Sequence, residues 1–469
     1  MPISDLDLTE LAARIAGGDI GARAATEACL GALETVGRDL NCTVAVHRAE
    51  ALRDAAAADR ALAQGQRLGP LHGVPMAHKD LFDVEGRIVA AGSKVRSGYR
   101  ANGTASVMRR LRQAGAINCG SLHMSELALT PTGYNAHLGA CRNPWNPDFV
   151  TGGSSSGSAA AVGGRLIPAS LGSDTGGSAR VPAGACGVTG LKPTYGLIAK
   201  DGVTPLAHSL DCVSPIARSA ADCALLLDVI AGPDPADPTT AGAPRIDYSA
   251  TLARHRRPGR LGMLPSCLLE TIDPEIRGIL ETALGAFRAS GWMISEVEIE
   301  DLDSINMLNR TVLTVEAATL HGRDLVERPE DFSAHVRSRL QVGLQLPATR
   351  YVEALMLRGK LARGFSERTF AGIDLLLMPC LPVPVPSIAA SGEGTAGTGS
   401  SDIMDFTRAM NYLGLPAISL PAGFTANGLP ASFQLVGRHF DEVGILAAAS
   451  GYQKETDWHR RIPPLSARV

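Results

Sequence analysis

Two strings of serine and glycine carry the chemistry of this chain. Thr151-Gly152-Gly153-Ser154-Ser155-Ser156-Gly157-Ser158 runs into the apolar Ala159-Ala160-Ala161-Val162. Leu171-Gly172-Ser173-Asp174-Thr175-Gly176-Gly177-Ser178-Ala179-Arg180-Val181-Pro182 follows. Glycine loses the most conformational freedom on ordering, so such strings in a well-patterned chain imply backbone that passes close to something. Hydroxyls beside paired glycines, with exposed N–H groups around them, are what acyl transfer needs: a nucleophile, and donors for a developing oxyanion. A lone Ser/Gly string reads as a linker. The second cluster, at fixed distance in an apolar frame, argues against that.

Gly153-Ser154-Ser155-Ser156-Gly157 spells the G-x-S-x-G elbow and would make Ser155 the nucleophile. That turn needs a strand running directly into it, whereas Asn143-Pro144-Trp145-Asn146-Pro147 reads as a loop. No lysine stands three residues after a serine, and H-E-x-x-H and the phosphate-binding G-x-x-x-x-G-K-[ST] are absent. Gly392-Glu393-Gly394-Thr395-Ala396-Gly397 fits G-x-G-x-x-G by chance, inside a low-complexity stretch at 389–402 that reads as a mobile surface loop. His72, His78, His123, His137 and His208 read as structural or pocket-lining. Lys79 ends the apolar run Val74-Pro75-Met76-Ala77-His78 and precedes Asp80. It is either half of a surface ion pair or a buried neutral base. Neutrality at pH 7 against a reference value of ~10.4 costs roughly 4.6 kcal/mol, which desolvation or nearby positive charge must supply.

The elements that must position these residues alternate. Helices are predicted over 9–34 (interrupted at Gly17-Gly18), 49–64, 106–114, 219–231 and 444–452. Strands are predicted over 42–46, 74–79, 117–119, 375–379, 417–420 and 432–436. Residues 240–370 read as mostly helical. This alternation predicts a layered α/β fold. The chain has 469 residues, with 45% hydrophobic and 19% charged residues, consistent with a large soluble core. Its net charge of -3 argues against a nucleic-acid or anionic-membrane surface as its main business. The Met1-Pro2-Ile3-Ser4 start lacks a basic and an apolar region, and no run is long enough to span a bilayer. Nine scattered cysteines without a C-x-x-C pair read as reduced thiols, and the expected location is cytoplasmic.

His72-Gly73-Val74-Pro75-Met76-Ala77-His78-Lys79-Asp80, the two Ser/Gly clusters, and Gly190-Leu191-Lys192-Pro193-Thr194-Tyr195-Gly196 together resemble the amidase signature family. The resemblance extends to Asp374–Pro379 and Gly414-Leu415-Pro416-Ala417. It implies one domain over residues 1–469, with a central mixed sheet flanked by helices on both faces. The catalytic core would lie at about 65–235 and 370–455, with a variable, mostly helical substrate side at about 240–370. It also implies a Ser-Ser-Lys triad whose middle serine lies 24 residues before the nucleophile, which assigns Ser178 and Ser154 with Lys79. Backbone N–H groups of Thr175, Gly176, Gly177 and Ser178 would form the oxyanion hole. Gly153 would join Ser154 through a cis peptide, and Asp174 and Arg180 would shape the loop as an ion pair. His78 and Ala179 stand where the family more often carries aliphatic and larger β-branched residues.

The resemblance further implies hydrolysis of a carboxamide, anilide, carbamate or related bond, with esters as a side activity and no metal or organic cofactor. The expected partner is a small amide or carbamate, not nucleic acid or membrane, and a homodimer is left open. The alternative is the amidase component of a tRNA-dependent glutamyl/aspartyl amidotransferase complex, which keeps the same motifs. The 389–402 loop and the divergent 240–370 region favour a stand-alone enzyme over that component, and the filled triad positions favour it over a catalytically dead scaffold. Arg337, Arg339, Arg350 and Arg358 are candidates for recognising an acid group.

Overall fold

A computed structural model describes residues 2–254, 258–299, 302–391 and 403–465. Eleven strands form among them: β1 (Thr43–Val46), β2 (Pro75–Lys79), β3 (Ile117–Leu122), β4 (Ala169–Asp174), β5 (Thr189–Lys192), β6 (Cys212–Ala217), β7 (Arg260–Met263), β8 (Met293–Glu296), β9 (Leu375–Pro379), β10 (Ala417–Phe424) and β11 (Pro430–Val436). Eight of them build a mixed sheet in the order β4-β6-β5-β10-β11-β9-β7-β8. Its first six strands pair antiparallel, and β9, β7 and β8 run parallel. A smaller sheet, β1-β3-β2, lies beside it.

β2 of the small sheet packs on β4 of the large one. Ser170 Oγ donates to Ala77 O at 2.7 Å, and the Leu171 N–H donates to His78 Nδ1 at 3.1 Å. Those two bonds fasten the end of β2, which carries Lys79, over the strand that leads into Ser178. His78 is therefore a stitch between sheets. Burial pushes its imidazole down to about 3, so it is neutral and holds its acceptor in place.

The strands and helices expected at both ends of the chain form close to their predicted bounds. β4, β5 and β6 fall in stretches where the sequence predicts only continued alternation. β7 and β8 sit within the region read as mostly helical, where they extend the sheet edge. Each has four residues with mixed exposure, too short for a period-2 pattern to stand out. Of the 389–402 stretch, only a single turn at Ala389–Ser391 is described; residues 392–402, with the G-x-G-x-x-G match, lie outside the described residues. The linker alternative fails outright, because every residue from Thr151 to Thr194 is buried.

Candidate active site

Lys79 closes β2 with its side chain sealed from solvent, 1% exposed. Its Nζ lies 2.8 Å from Ser154 Oγ, 3.0 Å from Ser155 Oγ and 2.9 Å from Ser173 Oγ. Burial pushes the amine down from its ordinary 10.5 to about 7, against Asp211 and Asp174, whose charges favour the ammonium. The surface ion pair with Asp80 does not form. Asp80 is itself buried, and desolvation pushes its carboxyl up to about 7. A second buried lysine, Lys192, donates to Pro193 O at 2.9 Å and lies 3.9 Å from Cys212 Sγ. Only Lys79 faces the serine hydroxyls.

Ser154 follows a cis Gly153–Ser154 peptide, at the position the family resemblance implies. A Cβ on Gly153 would lie 2.7 Å from both Gly133 N and Ser125 Oγ, so only glycine admits this approach. The helix Ser156–Gly163 begins two residues later. Ser155 donates to Ser173 O at 3.1 Å and accepts the Ser173 N–H at 3.2 Å, clamping β4. Ser156 pairs with His123 Nδ1 at 2.8 Å. The three adjacent serines thus have three different sets of partners.

Ser178 lies one short loop beyond β4, buried at 4% exposure, and its carbonyl accepts the Ser155 N–H at 3.0 Å. Its hydroxyl shares no hydrogen bond with Ser154 among the described residues. The loop is held by Asp174. Asp174 Oδ1 accepts the Gly177 N–H at 2.8 Å, and Oδ2 accepts those of Ala179 and Arg180 at 3.2 Å each. Arg180 grips both oxygens, at 3.0 and 2.9 Å. Burial opposes the Asp174 charge, but Arg180, helped by Lys192 and Asn411, holds the carboxyl well below the usual carboxylate range. From the other side Asp211 takes the Thr175 hydroxyl at 2.6 Å and the Leu206 N–H at 2.9 Å.

Two expectations change here. Gly177 N–H is committed to Asp174, so of the four expected oxyanion donors it is the one turned inward. The glycine at 177 is required by packing: φ is +127°, and a Cβ would run into the Thr407 hydroxyl. Three of the four candidate acid-recognition arginines, Arg339, Arg350 and Arg358, also have partners elsewhere. Arg358 donates to Tyr412 O at 2.6 Å and Ser209 O at 2.7 Å, Arg350 pairs with Glu353 at 3.1 Å, and Arg339 donates to Leu129 O.

Several supporting residues escape a reading of the sequence. Arg180 Nη1 donates to Gln434 Oε1 at 2.7 Å, and Nη2 to Asn411 Oδ1 at 2.7 Å and Thr407 O at 3.0 Å. These partners lie more than 220 positions away, and no local signal marks them. Ser173 carries one usable signal, a hydroxyl on the strand that delivers Asp174. A hollow of about 540 Å³ beside Trp292, Asp374, Ala448 and Lys454 shares no residue with this constellation.

The family described as Amidase matches residues 24–446. A glutamyl-tRNA(Gln) amidotransferase chain of Methylococcus capsulatus, the A component of that enzyme, is 36% identical over 482 residues, covering 97% of this chain and 98% of that one. The structure of 6-aminohexanoate cyclic dimer hydrolase complexed with substrate superposes with a TM-score of 0.90 at 29% identity, over 98% of this chain and 99% of its own. The native peptide amidase from Stenotrophomonas maltophilia gives 0.86 at 29% identity, over 99% of each chain. With a mixed sheet of the same architecture, and a buried lysine against serine hydroxyls where the motifs place them, this chain belongs to the amidase signature family.

Proposed function

We propose that this protein is a stand-alone amidohydrolase that cleaves a carboxamide-type C–N bond through an acyl-enzyme on Ser178. The observation that carries this reading is the 2.8 Å contact between a sealed Lys79 Nζ and Ser154 Oγ, with the amine near 7. Three hydroxyl oxygens match the three N–H donors of an ammonium. When Lys79 is neutral, one of those contacts reverses and a hydroxyl donates to the nitrogen lone pair. Ser155 spends its hydrogen on Ser173 O, which leaves Ser154 and Ser173 for that role, and the relay is assigned to Ser154.

Neutral Lys79 accepts the Ser154 proton, Ser154 accepts that of Ser178, and Ser178 Oγ attacks the carbonyl carbon. On this reading the Ser154–Ser178 hydrogen bond forms as substrate enters, since catalytic hydrogen bonds often tighten only in the substrate complex. N–H groups of Thr175, Gly176 and Ser178 receive the oxyanion. The relay returns its proton to the departing amine, and water releases the acyl group. The test is a fluorophosphonate reagent followed by peptide mapping, beside a panel of amides, carbamates and esters. An adduct on Ser178 with amide turnover supports the reading. Modification at Ser155 would revive the elbow instead.

The amidotransferase reading is kept because a glutamyl-tRNA(Gln) amidotransferase chain matches this one almost end to end. Ammonia released from glutamine only in the presence of the other components of such a complex, with co-elution on gel filtration, would favour it. A cytoplasmic location and direct action without nucleic acid or membrane belong to the same proposal. Among the described residues no helix is long and apolar enough to cross a membrane.

A further inference from the structure

The loop from Asp174 to Ser178 has its peptide groups held one by one through their carbonyls. Asp174 O accepts Asn411 Nδ2 at 2.8 Å, and Gly176 O accepts the Thr407 hydroxyl at 2.7 Å. Gly177 O accepts the Val181 N–H at 2.8 Å, and Ser178 O accepts the Ser155 N–H at 3.0 Å. The remaining carbonyl, Thr175 O, has one donor among the described residues, Asn309 Nδ2 at 3.4 Å. In a planar trans peptide the carbonyl and the following N–H point in opposite directions. Each grip on a carbonyl therefore aims the next N–H. Those of Thr175, Gly176 and Ser178 meet no acceptor among the described residues, and they are the three expected to receive the oxyanion.

Asn309 reaches this loop from far away. It stands on the helix Leu302–Glu327, in the region expected to form the substrate side, and its side chain is fully buried. Its Oδ1 has no hydrogen-bond partner and lies 3.7 Å from where a Gly176 Cβ would stand. The side-chain amide thus lies along the Thr175–Gly176 unit, with nitrogen on the carbonyl and oxygen beside the next α-carbon. Turned over, the amide would set its oxygen against Thr175 O, acceptor to acceptor. An unmet acceptor in the interior is rare in native proteins and calls for a reason. The grip on Thr175 O supplies one.

We propose that Asn309 is a positioning residue for the reaction: by holding Thr175 O it aims the Gly176 N–H at the developing oxyanion, so that a helix outside the serine and glycine motifs governs the chemical step. This rests on the amidohydrolase reading above. The Asn309 side chain acts only through the peptide it holds.

The test uses Asn309→Leu, which removes the donor at similar size, and Asn309→Ala, which removes it without adding bulk. Each is compared with the parent on the amide that turns over fastest in the panel above. Two inhibitors with the same acyl chain accompany it: the aldehyde, whose adduct with Ser178 places an oxygen in the oxyanion site, and the primary alcohol, which forms no adduct. Loss of a whole oxyanion donor costs about 10²–10³ in kcat. A donor still present but no longer held should cost less, about 10–100-fold in kcat. Aldehyde inhibition is expected to weaken by the same factor, as binding of a transition-state mimic does. KM, alcohol inhibition and the pH at which activity rises are expected to stay as in the parent. A kcat equal to that of the parent in both variants would overturn the proposal. Aldehyde and alcohol weakened alike would overturn it too, reducing Asn309 to a residue that shapes the pocket. Either result leaves the amidohydrolase reading intact. A parent chain that turns over no amide and takes no fluorophosphonate on Ser178 removes that reading, and this proposal with it.

Discussion

Arg180 holds Asp174 through both carboxylate oxygens, at 3.0 and 2.9 Å, with neither side chain exposed to solvent. The same carboxylate accepts three backbone N–H groups of the loop leading to and past Ser178. A buried pair of this kind contributes little net stability over an apolar isostere, but removing one partner strands the other charge. Its role here is geometric: it fixes the turn on which the expected nucleophile sits.

Arg180→Met is therefore expected to destabilise the fold by about 3–5 kcal/mol, read as a shift in the urea midpoint. Arg180→Lys should recover little, because a single ammonium cannot span both oxygens and reach Gln434 and Asn411 as well. Asp174 also sets an acid limit. Its folded value lies below the unfolded one, so its stabilisation is complete above ~3.9 and is lost as pH falls below that. Acid unfolding below pH 4 should lose this component in Asp174→Asn.

On the proposed mechanism, Lys79 sets the pH dependence of activity. Its value near 7 means that kcat/KM should rise through neutral pH and reach a plateau on the alkaline side. Lys79→Ala should lose amide hydrolysis almost entirely. Lys79→Arg should do no better, since a guanidinium does not deprotonate at working pH. A rate near that of the parent in either variant would remove Lys79 as the base.

Ser154→Ala is expected to keep the fold and reduce amide turnover by roughly 10²–10⁴-fold, the usual range for a lost proton-transfer group. Esters of the same acyl group should lose less, because an alkoxide needs less help to leave than an amine. Ser156→Ala should be much milder, since its hydroxyl pairs with His123 and not with Lys79. Single-turnover rates on a matched amide and ester pair check this. Equal losses at 154 and 156 would dismiss the relay.

Gly177→Ala should cost stability before it costs chemistry. The added methyl meets Thr407 and forces an L-residue to φ +127°, a conformation that disfavours any side chain. Thr407→Ala in the same chain should relieve the collision but not the backbone strain, recovering part of the melting temperature. Full recovery would show that packing alone demands glycine there.

Sequence alone was enough for the α/β class, the terminal helices, and the strands that follow strong apolar runs, such as Pro75–Lys79 and Leu375–Pro379. It also marked Lys79 and Ser154, which lie 2.8 Å apart in the structure, because a lysine ending an apolar run and clustered serines and glycines leave local marks of composition and spacing. Tertiary structure decided the rest. Short strands such as Arg260–Met263 and Met293–Glu296 become strands by pairing with Leu375–Pro379 and with each other, which no local pattern announces. Which of three adjacent serines faces Lys79 or His123 depends on the packing of β2 over β4. Gly177 is held to glycine partly by the packing of Thr407, and the remaining donors of Arg180 go to Gln434 and Asn411, across separations of more than 220 residues. Local sequence encodes periodicity and residue chemistry. Long-range contacts are chosen only when the core closes, because a hydrogen bond between distant residues stabilises the chain only after the loop between them has been ordered.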